Sequence, residues 1–280
     1  MKKILLGNDA IIQGALAAGV NFVSGYPGCP SAEIGDDFAK IAKEKGVYVE
    51  WSSNEKTAME AAIGASFSGL KSLVNMKSFG INVCSDALLP LVYTGTKAPM
   101  VIVVADDPSC WSSAQTEQNS RAYAFLGHIP VLEPADPQEC YDFTKLGFEI
   151  SEKFNIPVIL RTVTRAAHQR AAVEFSAQGG PASGGDVARE SKIGQFVRNQ
   201  HQFLTMPPRV LEMKGELLEK IEKIRAFANA SLGHSPTGEA KLNKVAGDKK
   251  SKIGVVVSGT SYLYTMEALE ELGIKAHVLK

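Results

Sequence analysis

Short apolar runs, each followed by a helical pattern, recur through the first part of the chain, and this alternation restricts what it can fold into. Residues 20–24, 47–51, 70–76, 100–105, 129–132 and 157–161 read as strands. Residues 8–18, 32–45, 82–95 and 137–154 read as helices, as does the alanine-rich run that begins near Glu55. Asn8 or Asp9 is a candidate N-cap for the first helix and Ser31 for the second. Met100-Val101-Ile102-Val103-Val104-Ala105 carries no polar side chain, so that strand must be buried on both faces. Strands of this kind belong to a parallel sheet covered by helices on both faces, an α/β fold. In such sheets ligands bind beyond the carboxyl ends of the strands. Residues 26–31, 52–55, 77–80 and 106–118 all follow strands and are predicted to share that edge.

After this region the pattern changes. Residues 171–186 are rich in Gly, Ser, Ala and Pro, as in a linker. Residues 210–229 form a charged amphipathic helix, and 233–252 are polar again. Ile253-Gly254-Val255-Val256-Val257 starts a new buried strand, 261–272 a helix and 276–279 another strand. One and a half βα units cannot bury a core of their own. The expected organisation is therefore a domain over residues 1–170, a linker with an amphipathic helix over 171–252, and over 253–280 the front of a second α/β domain completed elsewhere.

Thirty basic and thirty acidic side chains cancel. No basic field argues for nucleic acid, and no apolar run reaches the length of a membrane span. Met1-Lys2-Lys3-Ile4-Leu5-Leu6 opens like a signal peptide, but Asn8, Asp9 and Gln13 break the apolar run, so a cytoplasmic location is expected. Cys29, Cys84, Cys110 and Cys140 form no CxxC pair, which leaves no standard zinc or iron–sulfur spacing and suggests reduced thiols.

Four segments on the predicted edge carry chemistry. In Glu50-Trp51-Ser52-Ser53-Asn54-Glu55-Lys56 a strand gives way to a helix whose small residues, Ala58, Ala61, Ala62 and Ala65, leave a flat face. Glu55 stands where that helix begins. It either complements the helix dipole or presents a fixed carboxyl group to a flat heterocycle, such as an aminopyrimidine ring nitrogen. Gly25-Tyr26-Pro27-Gly28-Cys29-Pro30-Ser31 is a rigid turn or a rigid substrate loop. Lys77, in Met76-Lys77-Ser78-Phe79-Gly80-Ile81-Asn82, is either solvated at a strand end or a cation offered to a carboxylate or cofactor. Asp106-Asp107-Pro108 opens a polar loop in which turn and cap chemistry competes with metal binding.

In this order these pieces resemble the N-terminal part of the large (alpha) subunit of the indolepyruvate:ferredoxin oxidoreductase family, thiamine-diphosphate 2-oxoacid oxidoreductases. The resemblance also rests on Val103-Val104-Ala105-Asp106-Asp107-Pro108, Glu117-Gln118-Asn119-Ser120-Arg121, Ile129-Pro130-Val131-Leu132-Glu133-Pro134 and Leu160-Arg161-Thr162-Val163-Thr164-Arg165-Ala166-Ala167-His168. It runs nearly end to end, through the restart at Ile253.

The resemblance implies that the first domain recognises the aminopyrimidine ring of thiamine diphosphate and that the last residues begin a transketolase C-terminal-like domain. Glu55 falls on the activating, catalytic glutamate. Glu55, Ser78, Gly80 and Asn82 fall on the cofactor side, and Tyr26, Pro27, Gly28, Cys29 and Lys77 on the substrate side. Cys29 stands where the family usually has threonine. Relatives acting on small acidic 2-oxoacids carry an arginine near Asp106 or Asp107; its absence here points to aryl pyruvates, with Lys77 as the cation. No metal ligands are expected in this chain: Mg2+ would be held by a Gly-Asp-Gly stretch elsewhere, and Gly184-Gly185-Asp186 in the linker does not qualify. [4Fe-4S] clusters are expected in a further region or partner.

The implied reaction is oxidative decarboxylation of indolepyruvate to acyl-CoA with reduction of ferredoxin. The implied partners are the region carrying the diphosphate-binding domain, a beta subunit, ferredoxin and coenzyme A, with no nucleic acid and no membrane, in a homo- or hetero-oligomer. The isolated chain is expected to be inactive. The alternatives are a subunit of a non-oxidative thiamine-dependent 2-oxoacid decarboxylase and a non-catalytic assembly subunit.

Overall fold

The computed structural model describes residues 2–112, 116–175, 192–230 and 243–280. In chain order its first elements are β1 (Lys2–Leu6), α1 (Gly7–Ala17), β2 (Phe22–Gly25), α2 (Ala32–Lys45), β3 (Tyr48–Trp51), α3 (Glu55–Phe67), β4 (Ser72–Lys77) and α4 (Gly80–Thr94). Then come β5 (Met100–Asp106), α5 (Ala122–Gly127), β6 (Val131–Leu132), α6 (Pro137–Phe154), β7 (Val158–Val163), α7 (Thr164–His168) and β8 (Arg170–Glu174). The remainder is α8 (Gln200–Phe203), α9 (Arg209–Ala230), β9 (Val245–Gly247), β10 (Gly254–Val256), α10 (Ser261–Glu271) and β11 (His277–Leu279).

The expected parallel sheet is present, in the order β3-β2-β4-β5-β7-β6. Alternate side chains along each strand enter opposite layers, as the pleat requires. Leu73, Val101, Val103, Val158 and Leu160 pack with α1, α2 and α6 through Ile11, Phe38, Tyr141 and Phe148. Val74, Met76, Met100, Ile102 and Ile159 pack with α3 and α4 through Met59, Ile81 and Leu88. Because β5 serves both layers, it has no polar position before Asp106. Strand order reverses at β2, with β3 on one side and β4 on the other, so a crevice opens at their carboxyl ends.

Several details depart from the sequence reading. The first residues form β1, which pairs antiparallel with β8, inside the stretch expected to be linker. Helix α9 packs Leu217, Ile221 and Ile224 onto the α4 layer. The second sheet is β10-β11-β9, so it includes a strand before residue 253. Strand β10 was expected to be buried, yet Val256 is 82% exposed, because no layer covers it among the described residues. Neither Asn8 nor Asp9 is an N-cap. Helix α1 starts at Gly7, the Asp9 carboxylate accepts the Leu6 N–H at 3.1 Å, and Asn8 is turned toward another loop. Ser31 does occupy the N-cap position of α2, but its hydroxyl donates back to the Gly28 carbonyl at 3.1 Å. Cys84 and Cys140 are buried free thiols, while Cys29 is exposed and Cys110 half-buried. No helix among the described residues is long and apolar enough to cross a membrane.

The second sheet is held to α6 by charge. Buried Glu139 pairs with Lys244 at 2.6 Å and with Lys280. Burial alone would raise the Glu139 carboxyl, but these two ammonium groups hold it below the usual range.

One helical turn away, Asp142 has weaker support. Burial pushes its carboxyl up to about 6, against the Gln138 amide 3.2 Å away and Lys145. A carboxyl raised in the folded state binds more protons folded than unfolded, so its contribution is fully present below its unfolded pKa and is lost as pH rises through about 6. Asp142→Asn is expected to stabilise the protein by roughly 1–3 kcal/mol near pH 7.5 and by close to nothing near pH 3, below the unfolded pKa. Urea midpoints at the two pH values check this; an equal shift at both would show that ionisation is not the cause.

Candidate functional site

Glu55 is the first residue of α3, and Asn54 caps that helix by accepting the Thr57 N–H at 2.9 Å. The cap fixes where the helix starts and therefore where Glu55 projects. Its side chain lies across the first turn of α4. A Cβ built on Gly80 would sit 2.6 Å from Glu55 Cγ and 3.1 Å from Oε1, so only glycine leaves room there. The half-buried carboxylate accepts no hydrogen bond and forms no ion pair among the described residues. A carboxyl group serving only the helix dipole would need neither a seat cut from the neighbouring helix nor free acceptor capacity. An aminopyrimidine nitrogen needs both, so the residues present fit that ring.

Lys77 ends β4 and is only 7% exposed, which removes the solvated-lysine alternative. Among the described residues no carboxylate lies within ion-pair distance of its ammonium group. Its Nζ sits 5.0 Å from the centroid of the Phe79 ring. Gly28 brings the 25–31 turn against this side chain, since a Cβ there would lie 2.7 Å from Lys77 Cβ. The turn is held from beneath. Asn75 Nδ2 donates to the Ser31 carbonyl at 3.1 Å, and Asn8 Nδ2 donates to the Pro30 carbonyl and to Glu33, both at 2.8 Å. Tyr26, Pro27 and Cys29 remain exposed on the rim. The structure therefore brings Gly28 and Lys77 together, and separately Glu55 and Gly80.

Ser78 and Asn82 flank the Gly80 turn. Ser78 is buried and donates its N–H to the Ala105 carbonyl at 3.0 Å. Asn82 is exposed; its Oδ1 accepts the Tyr123 hydroxyl at 2.8 Å and its Nδ2 donates to Gln118 at 2.7 Å.

Sequence reasoning missed a charged network at the ends of β5 and β7. Asp106 is fully buried and accepts Arg161 Nε at 2.6 Å, the Ser120 N–H at 2.9 Å and the Ser120 hydroxyl at 2.5 Å. Glu133 lies 3.5 Å from Arg161 and accepts Arg121 Nε at 2.5 Å and Nη2 at 2.8 Å. Burial would raise Glu133, yet Arg121, Ser258 and Arg161 hold it below the usual carboxylate range. Asp107 is likewise held low against its burial, by Thr164 and Ser112 and by the nearby charge of Lys77. Arg121, Glu133 and Arg161 face a cleft of about 980 Å³ between the sheet edge and the start of α10. Among the described residues no group of three or more His, Cys, Asp or Glu could hold a metal ion. Gly184-Gly185-Asp186 lies outside the described residues.

The doubly covered parallel sheet, open at its switch point, is that of an α/β thiamine-diphosphate-binding fold. The family model for pyruvate flavodoxin/ferredoxin oxidoreductase, thiamine diphosphate-binding, matches residues 13–202, and the chain belongs to that family. It is 42% identical over 277 residues to indolepyruvate oxidoreductase subunit IorA of Methanothermobacter marburgensis, covering 99% of this chain and 42% of the relative. The corresponding subunit of Thermococcus kodakarensis is also 42% identical, over 97% of this chain and 40% of its own length. The 2-oxoglutarate synthase subunit KorA of M. marburgensis is 32% identical over 59% of this chain and 45% of its own. The fold resembles that of a 2-oxoglutarate:ferredoxin oxidoreductase from Magnetococcus marinus, with a TM-score of 0.74 at 19% identity, over 99% of this chain and 53% of the other. The chain thus spans less than half the length of the curated relatives it matches.

Proposed function

We propose that this chain is the pyrimidine-binding part of an indolepyruvate:ferredoxin oxidoreductase, which oxidatively decarboxylates aryl pyruvates to acyl-CoA and passes the electrons to ferredoxin. The observation that carries this reading is the free Glu55 carboxylate on its glycine seat, within a chain 42% identical to indolepyruvate oxidoreductase subunits. Bound thiamine diphosphate would supply the electron sink for loss of the substrate's carboxyl group. Glu55 would hold or exchange a proton at the aminopyrimidine nitrogen. Gly80 would keep that carboxyl group in place, and Ser78 and Asn82 would frame the ring's side of the turn. Lys77 would meet the substrate carboxylate beneath the rim of Tyr26, Pro27, Gly28 and Cys29.

The remaining machinery belongs to other parts of the assembly. A region or chain with the diphosphate-binding domain would hold Mg2+, and a beta subunit and [4Fe-4S] clusters would complete the electron path. The reading places the complex in the cytoplasm. The complete enzyme is expected to reduce ferredoxin with indolepyruvate and coenzyme A, more efficiently than with pyruvate or 2-oxoglutarate. Thiamine-dependent decarboxylation without reduction of any acceptor would overturn the oxidoreductase reading.

Lys77→Met is expected to lower kcat/KM for indolepyruvate and phenylpyruvate by about 10- to 150-fold, a loss of roughly 1.5–3 kcal/mol for a charge-assisted contact. Cofactor affinity is expected to change far less. Unchanged specificity constants would remove Lys77 from the substrate site.

A further inference from the structure

Glu117-Gln118-Asn119-Ser120-Arg121 has no role in the reaction described above, yet one of its side chains reaches the Gly80 turn. Gln118 Nε2 donates to the Ser78 carbonyl at 2.7 Å, and its Oε1 accepts Asn82 Nδ2 at 2.7 Å. Ser78 precedes α4 and Asn82 lies in its first turn, so one amide group grips the turn at both ends. Between these two points lies Gly80, the seat of Glu55. The grip has a firm base. Two residues along, Ser120 is fixed to buried Asp106, which is itself fixed to Arg161.

We propose that Gln118 is a positioning residue for cofactor binding: it sets the turn from Ser78 to Asn82, and through it the seat of Glu55 against the aminopyrimidine ring. The proposal rests on Glu55 being the ring-nitrogen partner. An amide is required because the turn presents an acceptor at Ser78 and a donor at Asn82. A carboxylate would set oxygen against the Ser78 carbonyl, and an apolar chain would satisfy neither end.

The test uses the complete enzyme carrying Gln118→Met, which keeps the length of the side chain and removes both hydrogen bonds to the turn, along with a long one of 3.5 Å to the Ser120 hydroxyl. Thiamine diphosphate binding by calorimetry is expected to weaken by about 5- to 30-fold, as two lost hydrogen bonds predict. Exchange of the thiazolium C2 proton, followed by NMR at saturating cofactor, is expected to slow. Gln118→Glu separates positioning from general loosening. Its affinity relative to wild type is expected to be poor at neutral pH and to recover as acid protonates the new carboxyl group, which can then donate to Ser78. Wild-type affinity and exchange in Gln118→Met, with exchange slowed in Glu55→Gln, would overturn the positioning role and leave the Glu55 reading intact. Wild-type exchange in Glu55→Gln would remove the basis of both. Weakened binding in Gln118→Met with no recovery of Gln118→Glu in acid would reduce Gln118 to a packing residue and overturn the proposal.

Discussion

Glu55→Gln is expected to slow exchange of the thiazolium C2 proton in the complete enzyme by on the order of 10²-fold or more, the usual worth of a positioned acid–base group. The substitution preserves size, the Asn54 cap and the contact with Gly80, so the seat survives. What it removes is the capacity to share a proton with a ring nitrogen. An amide in the same place either donates or accepts, and it cannot change charge as the proton moves. Because Glu55 makes no hydrogen bond or ion pair among the described residues, the change should barely alter stability. Surface-like substitutions of this kind stay within about 0.5 kcal/mol. The combination is diagnostic: proton exchange collapses while the urea midpoint holds. Wild-type exchange in the mutant would mean that the carboxyl group serves only the helix dipole.

How legible this was in the sequence varied with the physical range of each interaction. The sheet was readable because strands buried on both faces must be apolar throughout, as β5 is from Met100 to Ala105. Glu55 was readable as a position, since a polar turn before an alanine-rich helix marks where that helix starts. Its lack of a partner among the described residues was not readable, because that depends on α4 packing beside α3. Lys77 showed the opposite limit. A lysine at the end of a strand looks solvated, and only the return of the 25–31 turn over its stem buries it. Strand β1 escaped notice because Lys2, Lys3 and Ile4 are exposed, and its pairing partner β8 is remote in the chain. Asn8 looked like a cap because asparagine usually caps locally, but here its amide serves the distant Pro30 carbonyl.

The Asp106 cluster was the largest omission, and the cause is specific. Asp106 and Asp107 stand together before a proline, which reads as turn chemistry, yet they diverge completely. Asp107 accepts the Ser112 N–H in the local loop and the Thr164 hydroxyl at the start of α7, whereas Asp106 accepts Ser120 and, 55 residues on in the neighbouring strand β7, Arg161. Parallel pairing of β5 with β7 sets Val104 opposite Arg161 and Asp106 opposite Val163. Nothing local to Asp106 announces that neighbour. The resemblance drew attention to the absence of an arginine beside these aspartates in sequence. The structure supplies Arg161 beside Asp106 in space, but it is already committed to buried carboxylates, so Lys77 remains the better candidate for a substrate carboxylate.

Asp106→Ala is expected to destabilise the protein by about 3–5 kcal/mol, the cost of breaking a buried ion pair by removing one partner. Arg161 is 6% exposed and would be left with Glu133 at 3.5 Å, a carboxylate already gripped by Arg121. Two guanidinium groups would then share one carboxylate, with Arg161 itself buried, and Ser120 would lose the acceptor for both its N–H and its hydroxyl. Arg161→Met leaves the converse problem, an Asp106 carboxylate with only Ser120 to satisfy it, and should cost a similar amount. The double substitution should cost much less than the sum, because an apolar pair of similar volume removes both charges at once. Urea unfolding of the four proteins measures this directly. A coupling of several kcal/mol is expected. Strict additivity would mean that the two side chains are solvated or separately satisfied, and that the network at the ends of β5 and β7 does not hold this edge of the sheet together.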